Sequence, residues 1–170
     1  MTESLIYRRT FVGRGAELRQ LEAAFDDAAA SRPALVIVAG EPGVGKSALC
    51  EQLAAYAAAH GGCTLLGHCY EEGSLALPYL AFMEALGRYV LARPPEDLRK
   101  ELGSGAGEVA RIVPEVREGL SLAVPPPDGD PDEQRWRLWQ AVSDFLRRAS
   151  QAQPLLVVLE DLHWADRGTL

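Results

Sequence analysis

The stretch Leu35-Val36-Ile37-Val38-Ala39-Gly40-Glu41-Pro42-Gly43-Val44-Gly45-Lys46-Ser47 decides how the chain is read. Its first five residues form a short apolar run rich in branched side chains. Such a run predicts a strand buried on both faces, as in a parallel sheet covered by helices. The remaining eight residues match the pattern G-x-x-x-x-G-K-[ST]. Residues 46–60 are rich in Ala and Leu, contain no internal Gly or Pro and stop before Gly61-Gly62, so a helix with a glycine exit is predicted after the loop. Strand, glycine-rich loop and helix in that order is the context in which this pattern cradles phosphate. Glycines let the backbone turn with positive φ and come close to an anion without a Cβ in the way. The start of the helix adds unpaired N–H groups and the positive end of its dipole. Lys46 can reach the β and γ phosphates as a point charge, and the Ser47 hydroxyl can ligate Mg²⁺. Glu41 is an anion in an anion-binding loop, so its side chain is expected to point away from the ligand.

Outward from this stretch, helical and strand patterns alternate. Upstream, Leu18, Leu21, Ala24, Phe25 and Ala28 predict a helix over 16–30 that Ser31-Arg32-Pro33 interrupts. Downstream come a strand at about 63–67 and a helix from Pro78 to about Leu91, with Leu80, Met83, Leu86, Tyr89 and Val90 on one face. Glycines and prolines break residues 92–129 into short pieces, with helices near 96–102 and 106–112. Asp130-Pro131 is a helix start, and Trp136, Trp139, Val142, Phe145, Leu146 and Ala149 then form a stripe read as core packing. Pro154 closes that helix, and Leu155-Leu156-Val157-Val158-Leu159 predicts a second buried strand. The alternation implies an α/β fold of three layers, a parallel sheet with helices on both faces.

The chain has 170 residues and a net charge of −7, with 48% hydrophobic residues. One domain of this size can build a core without a disulfide or metal staple. The acidic balance and the lack of a Lys/Arg-rich run oppose direct contact with nucleic acid. Cys50, Cys63 and Cys69 are odd in number and lie in or beside apolar segments, as suits reduced, buried thiols in a cytosol. The N-terminus lacks the apolar stretch of a signal peptide and no run is long enough to span a membrane. A cytoplasmic protein is expected.

The second apolar run ends in Glu160-Asp161, followed by Leu162-His163-Trp164-Ala165-Asp166. Acids at the carboxyl end of a central strand sit where α/β proteins bind ligands. Such carboxylates can hold the Mg²⁺ of a nucleotide, usually through water, and a second acid can orient or deprotonate an attacking water. Glu160, His163 and Asp166 recur every three residues but are not read as a dedicated metal site. His163 is expected to hydrogen-bond near the γ phosphate or the loop, Trp164 to pack against a neighbouring element, and Arg8, Arg9 and Arg14 to be solvated.

Three segments together, Phe11 to Leu18, Gly40 to Ser47 and Leu155 to Asp166, resemble the AAA-like ATPase domain of large ATP-binding LuxR-type transcriptional regulators. Similar domains occur in some multidomain adenylate cyclases and serine/threonine kinases, within the signal-transduction ATPases called STAND. The resemblance spans essentially the whole chain, and Glu160 to Asp166 is its most distinctive string. It implies a P-loop NTPase with ATP and Mg²⁺ as cofactors. Val12, Gly13 and Arg14 would lie near the adenine and ribose. Gly40, Glu41, Pro42, Gly43, Val44, Gly45, Lys46, Ser47 and Ala48 would form the Walker A site, and Ser47, Glu160 and Asp161 would serve the metal. Asp161, Glu160 and Lys46 would be catalytic, Asp161 polarising the attacking water. Glu160 stands where many relatives have Asp, a longer side chain that would slow hydrolysis. The resemblance further implies residues 1–33 as an adenine-side segment and helix, and 34–170 as a core through Walker B. The sensor strand that would separate 34–39 from 155–159, and a helical lid, would be missing, leaving a gap or a makeshift pairing.

The function expected from these features is an ATP-binding, slowly hydrolysing switch that controls an attached output domain, with possible nucleotide-dependent oligomers. A P-loop kinase or phosphotransferase is the alternative enzyme class, and a scaffold or protein-interaction module that has lost nucleotide binding is the third reading.

Overall fold

The computed structural model describes residues 13–71, 78–124, 126, 128–165 and 169. Helices dominate it. Helix α1 (Gly15–Ala29) leads into a segment without regular structure, the glycine loop and α2 (Lys46–Ala59). Strand β1 (Cys63–His68) is followed by α3 (Leu80–Ala92), α4 (Pro95–Leu102), the single turn α5 (Ala106–Val109) and α6 (Pro114–Leu120). The long helix α7 (Pro131–Ala152) then returns the chain to β2 (Leu155–Glu160). Local signals explain most of these boundaries. Pro95, Pro114 and Pro131 each open a helix, where a missing N–H costs nothing. At the head of α7 the Asp130 carboxylate accepts from the Asp132 amide at 2.8 Å.

The two strands run parallel, Cys63 opposite Leu155 and His68 opposite Glu160. Among the described residues they are the whole sheet. One face of the pair looks toward a large cluster built from α3 to α7, which takes in Leu65 and is centred on Leu86, Leu98, Val109, Val113, Val116 and Phe145. The other looks toward a small cluster on α1 and α2, made of Leu21, Phe25, Leu49, Leu53 and Ala57, against which Val38 and Leu156 pack. At Gly67 α3 comes so close to β1 that an added Cβ would lie 1.9 Å from the Ala81 carbonyl oxygen.

The expected three-layer P-loop NTPase sheet is overturned. The run Leu35 to Ala39 is not a strand: it carries no regular structure and pairs with neither β1 nor β2. Leu35 and Ile37 are 91% and 76% exposed, while Val38 alone turns toward the α1–α2 cluster. A strand needs a neighbour for its N–H and C=O groups, and without one an apolar run stays irregular. Strand β2 is likewise covered in part, with Val157 exposed, rather than buried on both faces. The result is a helix-rich domain around a two-stranded parallel sheet.

A smaller correction concerns α7. Its buried stripe is Leu138, Ala141, Val142, Phe145 and Ala149. Trp136 lies two residues, about 200° of helical turn, from Leu138 and is exposed. Trp139 packs edge-on to Tyr79 and Phe82. None of the three cysteines is in a disulfide, and only Cys69 is buried.

Candidate functional site

The loop at the head of α2 has the conformation its glycines predict. Gly43 and Gly45 have φ of +82° and +92°, a left-handed region that side chains disfavour. Gly45 is the N-cap of α2 and no side chain caps the helix; the first bond of the turn runs from the Leu49 amide to the Gly45 carbonyl at 3.0 Å. The amides of Lys46, Ser47 and Ala48 precede that bond and form the open start of a 14-residue helix. Lys46 folds back across the loop, its Nζ donating to the carbonyls of Gly40 at 2.9 Å and Glu41 at 3.1 Å. The Val44 amide donates to the Glu41 carbonyl at 3.4 Å and closes the turn. Glu41 and Pro42 are exposed.

Across from the loop, the parallel register sets His68 and Glu160 side by side at the carboxyl ends of β1 and β2. The Ser47 hydroxyl donates to Glu160 Oε2 at 3.1 Å, joining α2 to β2. His68 Nε2 stands 3.8 Å from the same oxygen. On its other side, the His68 backbone amide and Nδ1 each lie 3.0 Å from Glu84 Oε2. Arg88 donates to Glu84 Oε1 at 2.9 Å. Burial works to raise the Glu84 pKa, but the His68 hydrogen bonds and the nearby positive charge together hold it below its ordinary value. The ionised carboxylate can only accept, so Nδ1 carries the proton that joins them. The Cys50 thiol on α2 is pushed up, first by burial and then by the charge of Glu160.

The structure thus brings together Lys46, Ser47 and Glu160. Gly13 and Arg14 lie at the head of α1, where the Arg14 carbonyl accepts from Leu18, and no hydrogen bond among the described residues ties them to the loop. Val12, Arg8, Arg9 and Asp166 lie outside the described residues. Asp161 is exposed, with φ of +57°, and leads a short turn, Leu162–Trp164. In that turn His163 packs on Trp164 at 4.9 Å between ring centroids, and among the described residues no hydrogen bond ties it to the loop. Sequence reasoning missed His68 and Glu84. His68 directly follows the predicted strand at 63–67 and ends the observed one, but its partnership with Glu160 depends on a register that no local pattern encodes. Among the described residues, no group of three or more His, Cys, Asp or Glu could hold a metal ion, and no helix is long and apolar enough to cross a membrane.

These features define a helix-rich domain that displays a glycine loop at one end of a short parallel sheet. A family model described as an AAA ATPase domain matches residues 10–170, and the chain belongs to that family. No curated protein and no solved structure matches it.

Membership does not bring the core that the resemblance implied. In a P-loop NTPase the strand before the loop is laddered into a multi-stranded sheet, which fixes the loop against the acid at the end of a neighbouring strand. Here the segment before the loop has no ladder. The specific identification as a STAND ATPase of LuxR-type regulators, truncated after Walker B, is therefore corrected. So are the reading of Gly40–Ser47 and Glu160-Asp161 as Walker A and Walker B of a working ATPase, and ATP and Mg²⁺ as cofactors. The slowly hydrolysing switch, its cyclase, kinase and phosphotransferase alternatives, the ATPase activity, and the nucleotide and effector-linked or oligomeric partners rested on the same sheet and fall with it.

Proposed function

We propose that this domain recognises a phosphate group without turning it over, on the loop formed by Gly40, Glu41, Pro42, Gly43, Val44, Gly45, Lys46, Ser47 and Ala48. The observation that carries the reading is the uncapped start of α2 beside the Lys46 ammonium, whose present partners are two neutral carbonyls. Backbone amides and the helix dipole supply a field for an anion. Lys46 would exchange those carbonyls for charged phosphate oxygens, a stronger pairing. The absence of a Cβ at Gly43 and Gly45 leaves the approach open. Glu160, hydrogen-bonded to Ser47, stands beside the loop as an acceptor rather than as a member of a hydrolytic centre.

The test is calorimetric titration of the full chain with inorganic phosphate. A charge-assisted hydrogen bond contributes about 1.5–3 kcal/mol, so Lys46→Ala is expected to weaken binding by roughly ten- to a hundredfold. Equal affinity in the two proteins would show that phosphate, if bound, sits elsewhere.

A further inference from the structure

We propose that Asp128–Gly129, at the entry to α7, is a self-modification site: the chain closes there to a succinimide and reopens to isoaspartate, and Arg137 promotes the closure. Covalent geometry always brings an aspartate carboxyl carbon within reach of the nitrogen of the next residue. Whether the ring forms depends on a carboxyl group not engaged elsewhere, a following residue without bulk, and a nitrogen able to give up its proton. Asp26, Asp27, Asp97, Asp130, Asp132 and Asp144 each accept a hydrogen bond from a side chain or an amide. Asp161 is exposed, but Leu162 follows it. Asp128 is exposed, and among the described residues no hydrogen bond or ion pair holds its carboxylate. It opens the only Asp-Gly pair in the sequence, and the chain contains no Asn that could react in the same way.

The structure supplies the remaining condition. Arg137, near the head of α7, donates from its guanidinium to the Asp128 carbonyl oxygen at 2.7 Å. That oxygen belongs to the same peptide group as the Gly129 N–H. When the nitrogen loses its proton, negative charge spreads onto the oxygen, so a guanidinium placed there stabilises the attacking form, as a donor does in an oxyanion hole. The Gly129 N–H is itself taken by no hydrogen bond among the described residues, while the Gly129 carbonyl accepts from Gln134 Nε2 at 2.8 Å. The peptide unit is thus gripped by its oxygens and free at its nitrogen. Gly129 has φ of +93° and no side chain to crowd the ring. Arg137 is half-exposed and also stands 4.0 Å from Glu108, so its effect is smaller than that of a donor in a buried site.

In the step itself the Gly129 nitrogen bonds to Asp128 Cγ. The carboxyl group, in its protonated form, gives up its hydroxyl, which leaves with the N–H proton as water. Water then adds back to one of the two imide carbonyls. Cleavage beside Cγ restores aspartate. Cleavage at the original main-chain carbonyl leaves isoaspartate, with an extra carbon in the main chain just before the Asp130 cap. Water is the only other reactant, and the mass of the chain is unchanged.

The experiment incubates the full chain in heavy-oxygen water near neutral pH for some weeks, digests it and reads the Asp128 peptide by mass spectrometry with electron-transfer fragmentation. Each closure and reopening leaves a heavy oxygen at Asp128, and the fragments identify isoaspartate. A synthetic peptide of residues 124–135, which lacks Arg137, sets the intrinsic rate. The folded chain is expected to isomerise at least as fast as the peptide. Arg137→Met, which keeps an apolar stem, should be slower than the natural chain by at least about threefold, the value of a charge-assisted bond discounted for exposure. Circular dichroism checks that this variant folds. If it does not, the natural chain against the peptide decides. A natural chain slower than the peptide would show that the fold protects the bond and would overturn the proposal. An Arg137→Met chain as fast as the natural one would overturn the part given to Arg137.

Discussion

Gly67 sits in the middle of the β1–α3 contact, with the Ala81 backbone where its Cβ would be. Backbone cannot swing aside as the end of a long side chain can. Gly67→Ala is therefore expected to destabilise the fold by at least about 2 kcal/mol, measured as a lower urea midpoint. The sequence marks Gly67 only as a residue inside a strand, because the pressure on it comes from a helix about fourteen positions away. Gly43 and Gly45 are the opposite case. Their positive φ values follow from a local turn, and the loop pattern alone announces them. Ser47 is intermediate: its place at the helix start was legible in the local pattern, whereas its nearness to Glu160, 113 residues away, was implied only by the resemblance, as two groups serving one metal and not as the direct hydrogen bond found.

At the level of elements, the link between β1 and α3 is electrostatic as well as steric. The His68 hydrogen bonds keep Glu84 ionised more readily in the folded chain than its ordinary pKa of 4.5 would allow. A folded-state pKa below the unfolded one adds stability above the unfolded value and loses it as pH falls through the folded value. The advantage of the natural chain over Glu84→Gln should therefore be largest near neutrality and shrink as pH drops through and below 4.5. Urea titrations at stepped pH read this directly. The helices were legible because their signals are local: Pro at the first turn, Asp130 as cap, apolar spacing along α3 and α7. The run Leu35–Ala39 misled because its composition suits a strand, while being one depends on a partner elsewhere. Replacing Leu35 with Ser and Ile37 with Thr together should change stability by no more than about 1 kcal/mol. Phe145→Ala, in the large cluster, should cost about 3–5 kcal/mol. A loss from the first pair as large as that from the second would mean that the run is a buried strand after all.

For the molecule as a whole, family membership and architecture separate. The family match covers residues 10–170, yet the described residues build two strands and seven α-helices rather than a broad sheet. The resemblance was read most sharply from three short strings, and those strings fix a loop, a helix start and a strand end. Strand count depends on pairing, to which such strings are blind. The site was legible to the same extent: the glycine loop is one continuous stretch, whereas the polar groups around Glu160 are assembled from α2, β1, β2 and α3.

Among the described residues the two buried clusters are of unequal weight, five residues on the α1–α2 side against seventeen on the other. Free energy of opening follows the apolar area that must be wetted, so the lighter half separates from the sheet before the heavier one does. The glycine loop rides on the lighter half. An anion seated on that loop would fasten the part of the domain most ready to come away, and amide exchange in α1 and α2 would slow more than exchange in α7.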